Sequence, residues 1–99
     1  MRKKIYISGQ ITGMDYDIAW HTFKLAENYL RDSIKAYPVN PMSNGLPANA
    51  SWLQHMQRDI TLLMQCEEVY MLKGWEQSKG ARIEYELAKL LGYTVLVQR

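Results

Sequence analysis

Residues 72–92 read LKGWEQSKGARIEYELAKLLG. The apolar run Val69-Tyr70-Met71-Leu72 leads into them, and a loop holding Gly74, Ser78 and Gly80 passes into an amphipathic helix. A strand, a Gly/Ser loop and a helix N-terminus make a ready anion cradle, because free backbone N–H groups and the helix dipole point at one spot. Glu84 lies six residues past Ser78, in an early turn of that helix. A carboxylate beside such a cradle points to a phosphorylated or sugar-bearing ligand with chemistry performed on it.

Outward from this stretch the same pattern repeats. Lys4 to Ser8 reads as a short buried strand that ends in SGQITG, where Gly9 and Gly13 mark a turn or a close backbone approach. Asp15 or Asp17 caps the next helix, whose core stripe is Ala19, Phe23, Ala26 and Leu30. Ile34 to Val39 is a second strand, ending at Asn40, and residues 41–50 form the longest irregular segment, of the kind that serves as a binding wall. Ser51 with Gln54 predicts a capping box. In the helix that follows, Leu53, Met56, Ile60 and Leu63 form the expected buried stripe, with Trp52, His55 and Asp59 on a second stripe beside it. Glu68 to Leu72 is the third strand, the last helix runs from Lys79 to Leu91 with Gly92 as its stop, and Tyr93 to Val97 is the final strand.

Strands alternating with helices predict an α/β chain with a mostly parallel sheet of four to five strands and right-handed crossovers. Ligands of such sheets bind beyond the carboxyl ends of the strands. Ser8-Gly9, Asn40 and the 73–80 loop all fall at that rim, so three pieces of sequence converge on one cleft.

Bulk properties narrow the function. Ninety-nine residues make one domain, 1–99, with a small core that oligomerisation would support. A net charge of +2 and the lack of a Lys/Arg cluster argue against a nucleic-acid polymer as partner. Arg2-Lys3-Lys4 reads as a solvated edge. The single cysteine, Cys66, offers neither a disulfide nor metal-ligand spacing, and reads as a buried structural thiol in a reducing compartment. No apolar run approaches a membrane span and no signal-peptide core opens the chain, so a cytoplasmic protein without membrane, metal or cofactor is expected.

On the last helix, Ile83, Leu87, Leu90 and Leu91 set the expected core direction, with Glu84 and Glu86 flanking it on opposite sides. Angle does not choose between the glutamates; depth toward the cleft favours Glu84, and solvated helix charges are the plain alternative. Asp59 and His55 read either as a surface pair or as a cleft carboxylate with a neighbour. Trp52 and Trp75 stand near loops where each can stack on a nucleobase, with packing as the alternative. Tyr6 either packs in the sheet or turns its hydroxyl to a cleft carboxylate. His21 has no informative context.

IYISGQITG, the VNP after the second strand and GWEQSKGARIEYELA together resemble the nucleoside 2-deoxyribosyltransferase-like superfamily, in particular its small branch common in bacteria and phages. The resemblance runs from Ile5 to Val97. It implies a three-layer flavodoxin- or Rossmann-like fold that cleaves or transfers the N-glycosidic bond of 2-deoxyribonucleosides or their 5′-monophosphates. Glu84 matches the family's nucleophile, Tyr6 the tyrosine that holds it, and Asp59 the aspartate that contacts the sugar. Ser78 with Gly80, and Ser8 with Gly9, match the loops that hold a 5′-phosphate in nucleotide-cleaving members, and Ser78 tilts the expectation toward a monophosphate. A homo-oligomer is implied, because the superfamily builds its sites across subunits.

Two departures accompany the match. Glu67-Glu68 stand where members carry an aspartate entering the third strand. The chain also ends at Arg99, directly after its last strand, where characterised members add a segment that completes a neighbour's site. The expectations are therefore an active site, open or closed by another loop, or a rival: a nucleotide-binding sensor or sequestering protein without catalysis. A small α/β scaffold acting through protein contacts is the third reading.

Overall fold

The computed structural model describes residues 2–99. Its elements follow in the order β1 (Lys4–Ser8), α1 (Tyr16–Asp32), β2 (Tyr37–Val39), α2 (Trp52–Met64), β3 (Glu68–Met71), α3 (Lys79–Leu90) and β4 (Thr94–Val97), with 3-10 turns at Pro41–Ser43 and Trp75–Gln77. The described strands form one parallel sheet of four in the order β2-β1-β3-β4. From β1 the chain moves to one side, to β2, and then returns across to β3 and β4. The order therefore reverses between β1 and β3, whose ends are in register at Ser8 and Met71. Open parallel sheets bind ligands at such a reversal.

Alternation along the strands assigns the two faces. Ile5 and Ile7 of β1, with Tyr70 and Leu72, bury against Phe23, Ala26 and Leu30 of α1. Tyr6, Val69 and Met71 bury on the opposite side with Leu63 of α2 and Ala81 and Ala88 of α3. Three layers result. The α1 stripe is the one expected from the sequence.

The ends of the helices follow local chemistry. Asp15 accepts from the Asp17 and Ile18 amides, and Ser51 and Gln54 form the reciprocal capping box. Gly92, at φ 79°, closes α3: its amide donates to the Lys89 carbonyl and that of Tyr93 to Ala88, a Schellman pair.

Three expectations are corrected. β2 is shorter than the predicted 34–39, because the Ile34 and Ala36 amides donate to the Tyr29 and Leu30 carbonyls at the end of α1, with Lys35 at φ 63°. On α2 the inward face is rotated: Leu53 is 60% exposed, while Met56, Asp59 and Leu63 are buried. On α3 most of the expected stripe faces out, with Leu90 85% exposed and Ile83 and Leu91 also exposed; Leu87 packs at the edge of the core, and the buried face is Gly80, Ala81, Glu84 and Ala88. Small residues win there because α3 lies close to its neighbours. A Cβ on Gly80 would stand 2.9 Å from Met56 Sδ of α2.

Cys66 is buried and free, and burial pushes its thiol up to about 11. Among the described residues no helix is long and apolar enough to cross a membrane.

Candidate active site

The rotation of α3 is what builds the site. Because its small face meets the sheet, Glu84 arrives at the centre of that face, 5% exposed, above the carboxyl end of β1. Tyr6 and Ser8 are two residues apart on β1 and so project to the same side of the sheet as α3. The Tyr6 hydroxyl donates to Glu84 Oε2 at 2.8 Å and the Ser8 hydroxyl to Oε1 at 2.6 Å. Each carboxyl oxygen thus has one buried donor, which fixes the plane of the group. Glu86, the other candidate, is exposed.

Burial pushes Glu84 up to about 7, against the lowering effect of the Ser8 and Tyr6 hydrogen bonds and with a further push from the charge of Asp59. The carboxyl is therefore poised to gain or lose its proton near neutrality. Burial, and then the charge of Glu84, holds the Tyr6 hydroxyl well above its ordinary range, so it remains a protonated donor.

Asp59 enters from α2 and is 6% exposed. Its Oδ1 accepts from Asn44 Nδ2 at 2.8 Å. Burial raises its carboxyl above the usual aspartate value, opposed by the Asn44 hydrogen bond and by the nearby His55 and Arg58. Together Glu84 and Asp59 look into a cavity of about 430 Å³ between the sheet end, the 9–16 loop, the 41–50 loop and the starts of α2 and α3. That volume suits a small organic ligand. The mouth carries Tyr16 and Trp52, both partly exposed, and Lys79 Nζ sits 4.9 Å from the Trp52 ring centre. Among the described residues no lysine or arginine lines the cavity.

Of the residues singled out in the sequence, Tyr6, Gly9, Gly13, Trp52, His55, Asp59, Ser78, Gly80 and Glu84 line this cavity. Ser8 is fully buried behind Glu84 and spends its hydroxyl on that carboxylate. Ser78 spends its hydroxyl as the cap of α3, accepting the Ala81 amide at 3.1 Å. Gly9 has no room for a side chain, since a Cβ would lie 2.8 Å from Leu72 Cδ1 and 2.9 Å from its Cβ. Gly13 turns at φ 87°.

Two residues lie elsewhere. Asn40 caps the turn at Pro41–Ser43 and donates to Glu27 of α1 at 3.1 Å, away from the cavity wall. Trp75 stacks on Tyr85, with ring centres 4.5 Å apart, and packs against the α2/α3 core. An indole beside a glycine loop is explained by that aromatic partner nearly two helical turns into α3.

Sequence reading missed Tyr16 and, with more consequence, Asn44, both in the cavity lining. The signal for Asn44 was the Asn44-Gly45 pair, which marks a turn but says nothing of a contact 15 residues away.

The family model described as "Domain of unknown function (DUF4406)" matches residues 3–97. The chain belongs to this family. Among curated proteins none matches. Two solved structures share the fold. One is a 2-deoxyribosyltransferase from the psychrotolerant bacterium Bacillus psychrosaccharolyticus, with TM-score 0.72 and 20% identity over 95% of this chain and 70% of that one. The other is the 2-desoxiribosyltransferase from Leishmania mexicana, with TM-score 0.67 and 21% identity over 96% of this chain and 63% of that one. This chain therefore spans about two thirds of the length of those two enzymes.

Proposed function

We propose that this protein cleaves or transfers the N-glycosidic bond of 2-deoxyribonucleosides, with Glu84 as the nucleophile. The observation that carries this reading is the buried Glu84 carboxyl, held by Tyr6 and Ser8 at the sheet's point of reversal and facing a ligand-sized cavity. The fold shared with two 2-deoxyribosyltransferases supports it.

An ionised Glu84 oxygen bonds to the anomeric carbon as the bond from that carbon to the base nitrogen breaks. The electron pair leaves with the base, which takes a proton from solvent or from an acid in the cavity. Water or a second base then attacks the same carbon and frees Glu84, the route of retaining glycosidases. A deoxyribose lacks the electron-withdrawing 2′-hydroxyl and reaches the oxocarbenium-like transition state more readily. The raised Glu84 keeps a basic, nucleophilic oxygen while remaining about half ionised near pH 7. In this reading the Asp59 carboxylate accepts a hydrogen bond from a sugar hydroxyl, and the Tyr16 and Trp52 rings hold the base.

The cavity lining favours a free nucleoside over a 5′-monophosphate. Among the described residues it presents two carboxylates and no lysine or arginine, and Ser78 is engaged as a helix cap. The test is base release from a panel of deoxyribonucleosides and their monophosphates. Release from free nucleosides is the expected result. Nucleotide binding without release from any member would favour a non-catalytic binder. Ser78→Ala should lower stability by about 1 kcal/mol through loss of the cap and leave substrate preference unchanged. A monophosphate preference that disappears in this variant would overturn the nucleoside reading.

The protein is proposed to act as a homo-oligomer. Leu53 on α2 and Ile83 and Leu90 on α3 expose apolar surface that a second copy can cover. Sedimentation at micromolar concentration should give a dimer or larger; a pure monomer would refute this.

A further inference from the structure

The 41–50 loop walls one side of the cavity, yet beyond the short turn at Pro41–Ser43 it has no regular structure of its own to fix its shape. Asn44 supplies the missing constraint. It is 6% exposed, and each polar atom of its side chain is engaged. Oδ1 accepts the Leu46 amide at 3.0 Å, which makes the loop's turn. Nδ2 donates to Asp59 Oδ1 at 2.8 Å and to His55 Nδ1 at 3.0 Å. The Asn44 carbonyl accepts from Arg58 Nη1 at 3.1 Å.

The amide NH₂ group can only donate, so His55 accepts at Nδ1 and carries its proton on Nε2, which donates to the Pro47 carbonyl at 3.1 Å. Loop and helix are thus joined through the Asn44 side chain, with His55 and Arg58 each adding a bond from α2 to a loop carbonyl. A turn alone would need only the Oδ1 acceptor. The two N–H donors are surplus to the turn, and both are spent on α2. Among the described residues Asp59 Oδ2 receives no hydrogen bond, which leaves that oxygen free for a ligand.

We propose that Asn44 is a positioning residue: it orients Asp59 so that Oδ2 faces the substrate, and it ties the loop wall to the same carboxylate. The role rests on the reading of Asp59 as a sugar-facing group. An amide is suited to it because it offers one acceptor to the loop and two donors to the helix. A carboxylate at 44 would confront Asp59 with a like charge, and a serine is too short to span both partners.

The test has two arms, run on Asn44→Ala and, should that variant fail to fold, on Asn44→Ser, whose hydroxyl can still make the turn. The first arm follows the Asp59 side-chain carboxyl carbon by NMR through a pH titration of the ligand-free protein. Loss of the Asn44 donor should move its midpoint up by about one pH unit; an unmoved midpoint in a folded variant overturns the proposal. The second arm is a double-mutant cycle in kcat/KM with Asp59→Asn. Asn44→Ala alone should cost about 10- to 100-fold, and no more than about threefold once Asp59 is already replaced. Full additivity would mean that Asn44 acts only on loop stability, and would also overturn the proposal. If the wild type releases no base, the proposed function fails by itself, and the titration still decides whether Asn44 sets the state of Asp59.

Discussion

Replacing Glu84 by glutamine is expected to lower base release at least about a thousandfold while leaving the fold in place. Glutamine has nearly the shape of glutamate, so the packing of α3 against the sheet is unchanged. Its carbonyl oxygen still accepts from one of the two hydroxyls, Tyr6 or Ser8. The other hydroxyl must rotate and accept from the new NH₂ group, which a hydroxyl can do. What is lost is the anionic oxygen that bonds to the anomeric carbon. Parallel measurements of turnover and of the thermal midpoint check both halves. Unchanged turnover in a folded variant would remove Glu84 from the mechanism.

The second large effect is on stability. Glu84 is raised from its ordinary value of 4.5 to about 7, chiefly by burial. The folded state therefore binds this proton more tightly than the unfolded chain does. The resulting stabilisation is fully present below about pH 4.5 and is lost as pH rises through about 7. The difference corresponds to roughly 3 kcal/mol. Asp59, also raised by burial, acts in the same direction, whereas Glu27 is lowered by Lys24, Asn40 and Arg31 against its own desolvation and acts in the opposite one. The comparison of wild type with Glu84→Gln isolates the glutamate. Denaturant titrations at pH 5 and pH 8 should show the wild type losing about 2 to 3 kcal/mol more than the variant. Equal losses in both would mean that Glu84 ionises as an ordinary carboxylate, and the account of its burial would fail.

This burial marks where sequence reading succeeded and where it stopped. The strand–loop–helix order, the α1 stripe, the Ser51 and Gln54 capping box and the Gly92 stop are local features, set by residues within a few positions of one another, and all are present. The directions of α2 and α3 were less legible. Hydrophobic periodicity pointed to Leu53 on α2 and to Ile83, Leu87, Leu90 and Leu91 on α3, because bulky side chains dominate any count of apolar positions. The inward faces are instead chosen by how closely the helices approach the sheet and each other. Gly80, Ala81 and Ala88 permit a close approach that the larger residues would block. Glu84 and Asp59 then fall on buried faces that periodicity assigned to flanks.

The pairing of Tyr6 with Glu84, 78 residues apart, was open in the sequence and is a hydrogen bond in the fold. Ser8 and Ser78 were both expected to hold a ligand, yet each spends its hydroxyl within the protein. Residue type and position gave their place, while the competing partners appear only once the chain is folded. Asn44 was hidden for the same reason. Its turn is local, but its two donors reach α2.

The proposed mechanism turns on a covalent bond between Glu84 and the sugar. Rapid acid quench of the enzyme during turnover of a deoxyribonucleoside, followed by peptide mapping by mass spectrometry, tests it directly. A deoxyribosyl ester is expected on the peptide that contains Glu84, absent from Glu84→Gln and discharged when water or a second base is allowed to react. Steady turnover with inverted configuration at the anomeric carbon, and no modified peptide, would contradict it.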